Sequence, residues 1–261
     1  IRRSLQIIHQ DPGSSLNPNQ TVLASLLQPL KRWEPDMTRE EMEARVLGML
    51  EEVGMKPPED YAYRYPHQLS GGEQQRTALV RSLLMEPDLI LADEAVSALD
   101  VSLRVEMMDL MLELQDQFDT SFLYISHDLS NARYFAGQAD GRIAIMYLGE
   151  IVEIGPVEEV LENPQHPYTK VLKWATPDME VKHGKVDSPP VRQIDIPTPT
   201  DPPSGCRFHT RCPKAREECT TESPDPIGNG DRKTACFRVD PEHTYWESEP
   251  LEGTDQEGEI L

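Results

Sequence analysis

Leu69-Ser70-Gly71-Gly72-Glu73-Gln74-Gln75-Arg76, followed by the apolar run Leu89-Ile90-Leu91-Ala92 ending in Asp93-Glu94, decides how this chain is read. Two glycines after a serine let backbone N–H groups come close to an anion. The helix expected from Gly72 to Met85 aims its positive end at the same place. An apolar run tipped by two carboxylates reads as a buried strand with a Mg²⁺ ligand and a base at its end. Each piece alone has an ordinary reading: an Asp-Glu pair after a strand is usually a helix cap, and Ser-Gly-Gly usually a loop.

Working outward, Ser4 to His9 reads as a short strand ending at Gln10 and a turn through Asp11-Pro12-Gly13. Thr21 to Leu30 and Thr38 to Val53 carry apolar residues at helical spacing, with Thr38 and Glu41 set for a capping box. Gly54, Pro57 and Pro58 are expected to close that region. Val101 to Phe118 is a long amphipathic helix, and Ser121 to Ser126 a second apolar strand ending at His127. Strand, helix, strand with polar residues at strand ends is the pattern of an open parallel α/β sheet. Arg142 to Tyr147 and Glu150 to Ile154 form a hairpin pattern about Leu148-Gly149.

In this order and spacing the motifs resemble those of ATP-binding-cassette (ABC) ATPases across most of residues 1 to 155. Gln10 matches the Q-loop glutamine, Ser70-Gly71-Gly72 the signature, and Asp93 with Glu94 the Walker B pair. Ser97-Ala98-Leu99-Asp100 matches the D-loop and His127 the switch histidine. The resemblance implies a fold, a P-loop-NTPase-like α/β sheet with a helical subdomain at about 19–86, and an ATP- and Mg²⁺-dependent activity. Glu94 would polarise the water that attacks the γ-phosphate, and Asp93 would hold Mg²⁺ through water. His127 would donate to the γ-phosphate, and Gln10 would sense metal and phosphate through a neutral amide. Ser70, Gly71, Gly72 and Asp100 would serve the nucleotide of a facing subunit.

Two departures from the family pattern stand out. Ala95 occupies a position where the family usually has proline, which loosens a turn and removes no chemistry. No Gly-x-x-x-x-Gly-Lys-[Ser/Thr] occurs, and Gly184-Lys185 lacks both the first glycine and the hydroxyl. Without that lysine and its backbone cradle, the chain is expected to bind ATP weakly or not at all. The opening Ile1-Arg2-Arg3 is read as a start within a longer protein, a truncated cassette whose phosphate loop lies upstream. The rival is a degenerate, non-catalytic subunit that only donates Ser70-Gly71-Gly72 to a competent partner.

Beyond Gly155-Pro156 the character changes to short helices at 157–161 and 168–175, a Pro-rich tether at 176–205, and a cysteine segment at 206–236. Gln10-Asp11-Pro12 with Ser14-Ser15-Leu16-Asn17-Pro18, Tyr147-Leu148-Gly149, and His166-Pro167-Tyr168-Thr169 resemble the oligopeptide/dipeptide importer ATPases and their nickel-uptake relatives. Residues 156–240 then form a small Cys-rich C-terminal extension of that type. By spacing alone, Cys206-x5-Cys212-x6-Cys219-x16-Cys236 suits zinc or iron–sulfur equally. The subfamily resemblance implies a structural [4Fe–4S] cluster, with zinc as the alternative.

The chain carries 46 acidic against 25 basic residues, a net charge of -21, which argues against nucleic acid as a direct partner. Neither coiled-coil insertions nor tandem cassettes occur, which also separates it from soluble ABC proteins of repair or translation. The acidic excess has an ordinary reading as a solvated acidic face; the preferred one is adaptation to a high-salt (halophilic) cytoplasm, where counterions screen the self-repulsion. It thickens after Asp240, and the acidic tail at 241–261 is expected to be disordered. No run of about 18 apolar residues occurs. The resemblance therefore implies a peripheral subunit at the cytoplasmic face of the cell membrane. Its partners would be a second ABC ATPase subunit (homo- or heterodimer) and integral membrane permeases, with a substrate-binding protein engaged indirectly.

Overall fold

A computed structural model describes residues 3–11, 13, 16–176, 189–228 and 230–254, and the chain divides into two compact units, Ile1–Asp128 and Leu129–Leu261. The first unit is built on three parallel strands in the order β1 (Leu5–Ile8), β2 (Leu89–Asp93), β3 (Ser121–Ile125). Between β1 and β2 run α1 (Val22–Trp33), α2 (Arg39–Glu52), α3 (Pro58–Ala62) and α4 (Gly71–Leu83). The crossover from β2 to β3 is α5 (Val101–Phe118), as a parallel pair requires.

Local chemistry sets these helices. Thr21 caps α1 by accepting the Ala24 N–H at 3.2 Å, and α1 buries Val22, Leu23, Leu26, Leu27 and Leu30 on one face. Thr38 and Glu41 make the expected reciprocal box at the start of α2, at 3.3 and 2.7 Å. Pro58, expected only to end the helical region, instead opens α3. Proline is favourable at a first helical position, where its missing N–H is not needed. The hub is α4, which packs against α1, α2, α5 and β1 and buries Leu79, Val80 and Leu83.

The two faces of this sheet differ. Ile8, Ile90 and Ala92 are buried on one, whereas Leu5, Ile7, Leu123 and Ile125 on the other are 38–54% exposed. A parallel sheet is ordinarily covered on both faces, so this apolar face lacks a covering layer among the described residues.

The second unit carries an antiparallel sheet: β4 (Arg142–Tyr147), β5 (Glu150–Pro156) and a short β6 (Lys233–Thr234). Leu148 and Gly149 both take positive φ, 45° and 85°, the two-residue turn whose twist matches a hairpin. With it go α6 (Leu129–Gln138), α7 (Val157–Glu162), α8 (Pro167–Ala175) and the single turn α9 (Glu218–Thr221). A register shift opposite Ile145/Met146 puts an extra residue into β5, so Val152 and Glu153 are both buried. The hairpin, read with the first domain from sequence, groups with the C-terminal segment because β6 completes its sheet.

The expected disorder does not extend to 241–254. Tyr245 is buried there and donates its hydroxyl to the Lys214 carbonyl at 2.6 Å, because an aromatic ring gains more from burial than an acidic loop loses. Residues 255–261, much of the Pro-rich tether (177–188), and Pro12, Ser14 and Ser15 of the subfamily motif lie outside the described residues.

Candidate functional site

Parallel pairing in register, Ile8 opposite Ala92 and Asp93 opposite Ile125, brings the C-terminal ends of β1, β2 and β3 side by side. Gln10, Asp93, Glu94 and His127, the residues singled out from sequence, follow or end these strands and so share one sheet edge. Glu94 Oε1 lies 2.8 Å from His127 Nδ1. The histidine side chain is 72% exposed and the glutamate 25%, so the pair orients a carboxylate at the surface and adds little stability. Glu94 sits at φ 49°, a conformation costing about 1–3 kcal/mol for a non-glycine residue. Its N–H donates to Ile125 O at 3.0 Å, and its carbonyl accepts the Ser97 N–H and hydroxyl at 3.0 and 2.9 Å. Strain held in place this way aims the side chain off the end of β2.

The turn carrying His127 is tied by Ser126, whose hydroxyl accepts the Asp128 N–H at 3.0 Å. Arg104 then joins two loops: its guanidinium donates to Leu99 O at 3.0 Å and lies 3.6 Å from the Asp128 carboxylate. Sequence reading passed over Arg104, since an arginine on an amphipathic helix carries no local signal.

Ser70 is the N-cap of α4. Its hydroxyl accepts the Glu73 N–H at 3.3 Å, and its own N–H donates to Glu73 Oε2 at 2.6 Å. Gly71 and Gly72 follow in the first turn, where helical N–H groups have no intrahelical acceptor. A Cβ on Gly71 would stand 3.9 Å from Leu99 Cδ2, and one on Gly72 3.9 Å from Leu103 Cδ1. The signature residues and the Glu94–His127 pair therefore both abut the 97–103 segment. They make no hydrogen bond to each other among the described residues. Asp100 caps α5, its Oδ1 accepting the Leu103 N–H at 3.1 Å.

The second unit gathers the four cysteines. Cys206, Cys212, Cys219 and Cys236 are free thiols lining one cavity, together with His166, Phe208, Lys214, Arg238 and Tyr245. Burial pushes every thiol up, Cys206 to about 12 and Cys236 to about 11, so each is neutral unless a cation holds it as thiolate. Backbone amides already serve the sulfurs. Lys214 N–H points to Cys212 Sγ at 3.4 Å, and Phe208 and Arg238 stand in the same i+2 relation to Cys206 and Cys236. Four soft donors with N–H groups and two cationic side chains nearby fit a thiolate-held inorganic group. No three His, Cys, Asp or Glu side chains among the described residues are placed to hold a metal ion.

Two residues outside the sequence-derived set hold this site together. Gly205, at φ 63°, lets Cys206 N–H reach Cys219 O at 2.9 Å; a Cβ there would fall 2.5 Å from that same oxygen. Gly205→Ala is expected to part the two segments and lower stability by roughly 1–3 kcal/mol, read as a lower urea midpoint. An unchanged midpoint would show that the close approach is not needed. Glu153, fully buried, accepts the N–H groups of Gln165 and His166 at 3.0 Å each and pairs with Arg232 at 2.9 Å.

Comparison with known proteins agrees with both halves of this geometry. Residues 1–97 match the family model described as ABC transporter, and residues 152–219 that described as oligopeptide/dipeptide transporter, C-terminal region. The oligopeptide transport ATP-binding protein OppF of Escherichia coli strain K12 is 40% identical over 241 residues, 92% of this chain and 70% of that protein. The di/tripeptide transport ATP-binding protein DppF of Pseudomonas aeruginosa is likewise 40% identical over 241 residues, covering 92% and 72%. A solved structure, cbiO1 of Clostridium perfringens, part of the ABC transporter complex cbiONQ, superposes with a TM-score of 0.55 at 25% identity. The superposition covers 62% of this chain and 61% of that one.

Proposed function

From the premise that this chain belongs to the ABC-type ATPases, among the ATP-binding subunits of oligopeptide/dipeptide transporters, we propose that it couples ATP hydrolysis to peptide import. The observation that carries the catalytic reading is the Glu94–His127 contact at the sheet edge, beside Asp93 and on the same edge as Gln10. In this reading Glu94 takes the proton of the attacking water, Asp93 orders Mg²⁺ through water, and His127 and Gln10 face the γ-phosphate. Ser70, Gly71 and Gly72 present amides to the nucleotide of a second ABC subunit, and Asp100 shapes the segment between them. Permeases would be the membrane partners, at the cytoplasmic face, with a substrate-binding protein acting through them; no helix among the described residues is long and apolar enough to cross a membrane.

No phosphate-loop motif occurs in these 261 residues. The exposed apolar face formed by Leu5, Ile7, Leu123 and Ile125 supports a cassette completed by a further layer carrying that loop. The test is ATPase activity of the chain fused in frame to a phosphate-loop segment of a relative. Turnover supports the catalytic reading, whereas nucleotide binding without turnover supports the donor-only alternative.

In the C-terminal unit, Cys206, Cys212, Cys219 and Cys236 would hold a [4Fe–4S] cluster with a structural role; zinc without sulfide in anaerobically purified protein would overturn that assignment. The net charge of -21 fits a saline cytoplasm. The melting temperature is expected to rise between about 0.1 M and 1 M salt, as the screening length falls from about 10 Å to about 3 Å. A flat or falling melting temperature would remove the halophilic reading.

A further inference from the structure

The sheet edge carries a closed ring of contacts. Glu94 O accepts the Ser97 N–H at 3.0 Å and its hydroxyl at 2.9 Å. Arg104, at the start of α5, donates from one guanidinium nitrogen to Leu99 O at 3.0 Å and to Ser97 O at 3.5 Å. Its other terminal nitrogen lies 3.6 Å from Asp128 Oδ2. Asp128 adjoins His127, and His127 Nδ1 returns to Glu94 Oε1 at 2.8 Å. Tyr124 on β3 lies within electrostatic reach of Arg104, Asp128 and Glu94 alike, so the three charges share one small region. The Arg104 side chain is 22% exposed, which leaves its charge less screened than that of a surface pair. One planar guanidinium serves two loops, a span that a single ammonium does not reproduce.

Resting on the catalytic reading above, we propose that Arg104 is a positioning residue for hydrolysis, holding the 126–128 turn so that His127 keeps its Nδ1–H on Glu94. Packing does little to orient His127, since 72% of its side chain is exposed. Its direction is inherited from the backbone that carries it. Ser126 closes that turn only on itself, accepting the Asp128 N–H at 3.0 Å. Arg104 ties the turn to α5 and to the 97–99 carbonyls, a segment that hangs in turn from Glu94 O. An ionised carboxylate accepts and does not donate, so the proton between His127 and Glu94 belongs to Nδ1. When the turn swings, the imidazole leaves, and the carboxylate that takes the proton of water loses the neighbour that aims it.

The first experiment is NMR of the full chain carrying ¹⁵N-labelled histidine, in wild type, Arg104→Met and Asp128→Asn, at about pH 8, above the usual histidine range. Methionine keeps much of the unbranched stem and removes the charge and every donor. Asparagine leaves Arg104 its carbonyl contacts and removes the opposing charge. The His127 signals, assigned by their absence from His127→Ala, are expected to show a protonated Nδ1 as the majority form in wild type. Both variants should move that ring to the Nε2–H form that a free neutral imidazole prefers in water, with the remaining histidines unchanged. The second experiment uses the chain completed with a phosphate loop. There Arg104→Met is expected to lower kcat roughly 10-fold with KM for MgATP unchanged, as a misplaced catalytic group would. Added to His127→Ala, the same change should cost nothing more, because both act on one contact. An Nε2–H ring in wild type, or an unaltered ring in both variants, would overturn the proposal and leave the catalytic reading standing. Losses that multiply in the double variant would also overturn it, marking Arg104 as a support of the fold. A completed parent chain that never turns over would overturn the catalytic reading itself, and the inference with it.

Discussion

Glu94→Gln, made in the chain completed with a phosphate loop, is expected to lower kcat by roughly 10²–10⁴-fold while nucleotide binding persists, the range a positioned general base supplies. Glutamine is nearly isosteric, and its Oε1 can still accept from His127 Nδ1–H across the 2.8 Å contact, so the sheet edge keeps its geometry. What it loses is the capacity to take a proton from water. Single-turnover hydrolysis alongside equilibrium nucleotide binding separates the two effects. A variant that binds and hydrolyses like the parent would move the catalytic base elsewhere and return Glu94 to an ordinary loop residue. A companion variant, His127→Ala, would free the carboxylate without removing it and should slow turnover less.

The second large effect lies in the other unit. Glu153→Ala is expected to cost roughly 3–5 kcal/mol, because it strips two backbone N–H groups of their acceptor and a largely buried guanidinium of its only carboxylate among the described residues, leaving it the Asn163 carbonyl. The Arg232 side chain is only 15% exposed and cannot turn to water without opening the β5–β6 edge, where Glu153 sits opposite Thr234. Urea unfolding of the variant should show a clearly lower midpoint. Glu153→Gln should recover part of the loss, since one amide oxygen can still accept from an N–H. A loss within about 0.5 kcal/mol, the range of ordinary surface substitutions, would sink this account of the buried carboxylate. The change should also loosen His166 and the segment reaching Cys236, since Ala235 N–H donates to Val152 O at 2.8 Å beside the same carboxylate.

Much of the first unit was legible from the chain. Val101–Phe118 was read to the residue, and the Thr38–Glu41 box formed as its spacing required. The strand-end carboxylates and histidine meet because parallel strands in register must bring their C-terminal tips together. The second unit was harder. Four cysteines scattered over 31 residues of loops and one helical turn have no periodicity, so their convergence depends on contacts distant in sequence. Gly205 matters only because the Cys219 carbonyl passes within 2.5 Å of where its Cβ would be. Arg104 links two loops that the one-dimensional pattern keeps apart. Tyr245 is buried in a stretch whose acidic composition signals disorder.

The amino-acid sequence by itself determined the elements and the chemistry at their tips: helical and strand periods are local, and a motif keeps its residues within a few positions. Tertiary structure alone decided which neighbours those elements acquire. Glu153 is the sharpest instance. Strict alternation along β5, with Val152 facing inward, would turn the carboxylate to solvent. One extra residue opposite Ile145/Met146 turns it into the core, where Arg232 from far along the chain receives it. That bulge leaves no local mark, because it is set by the register between strands.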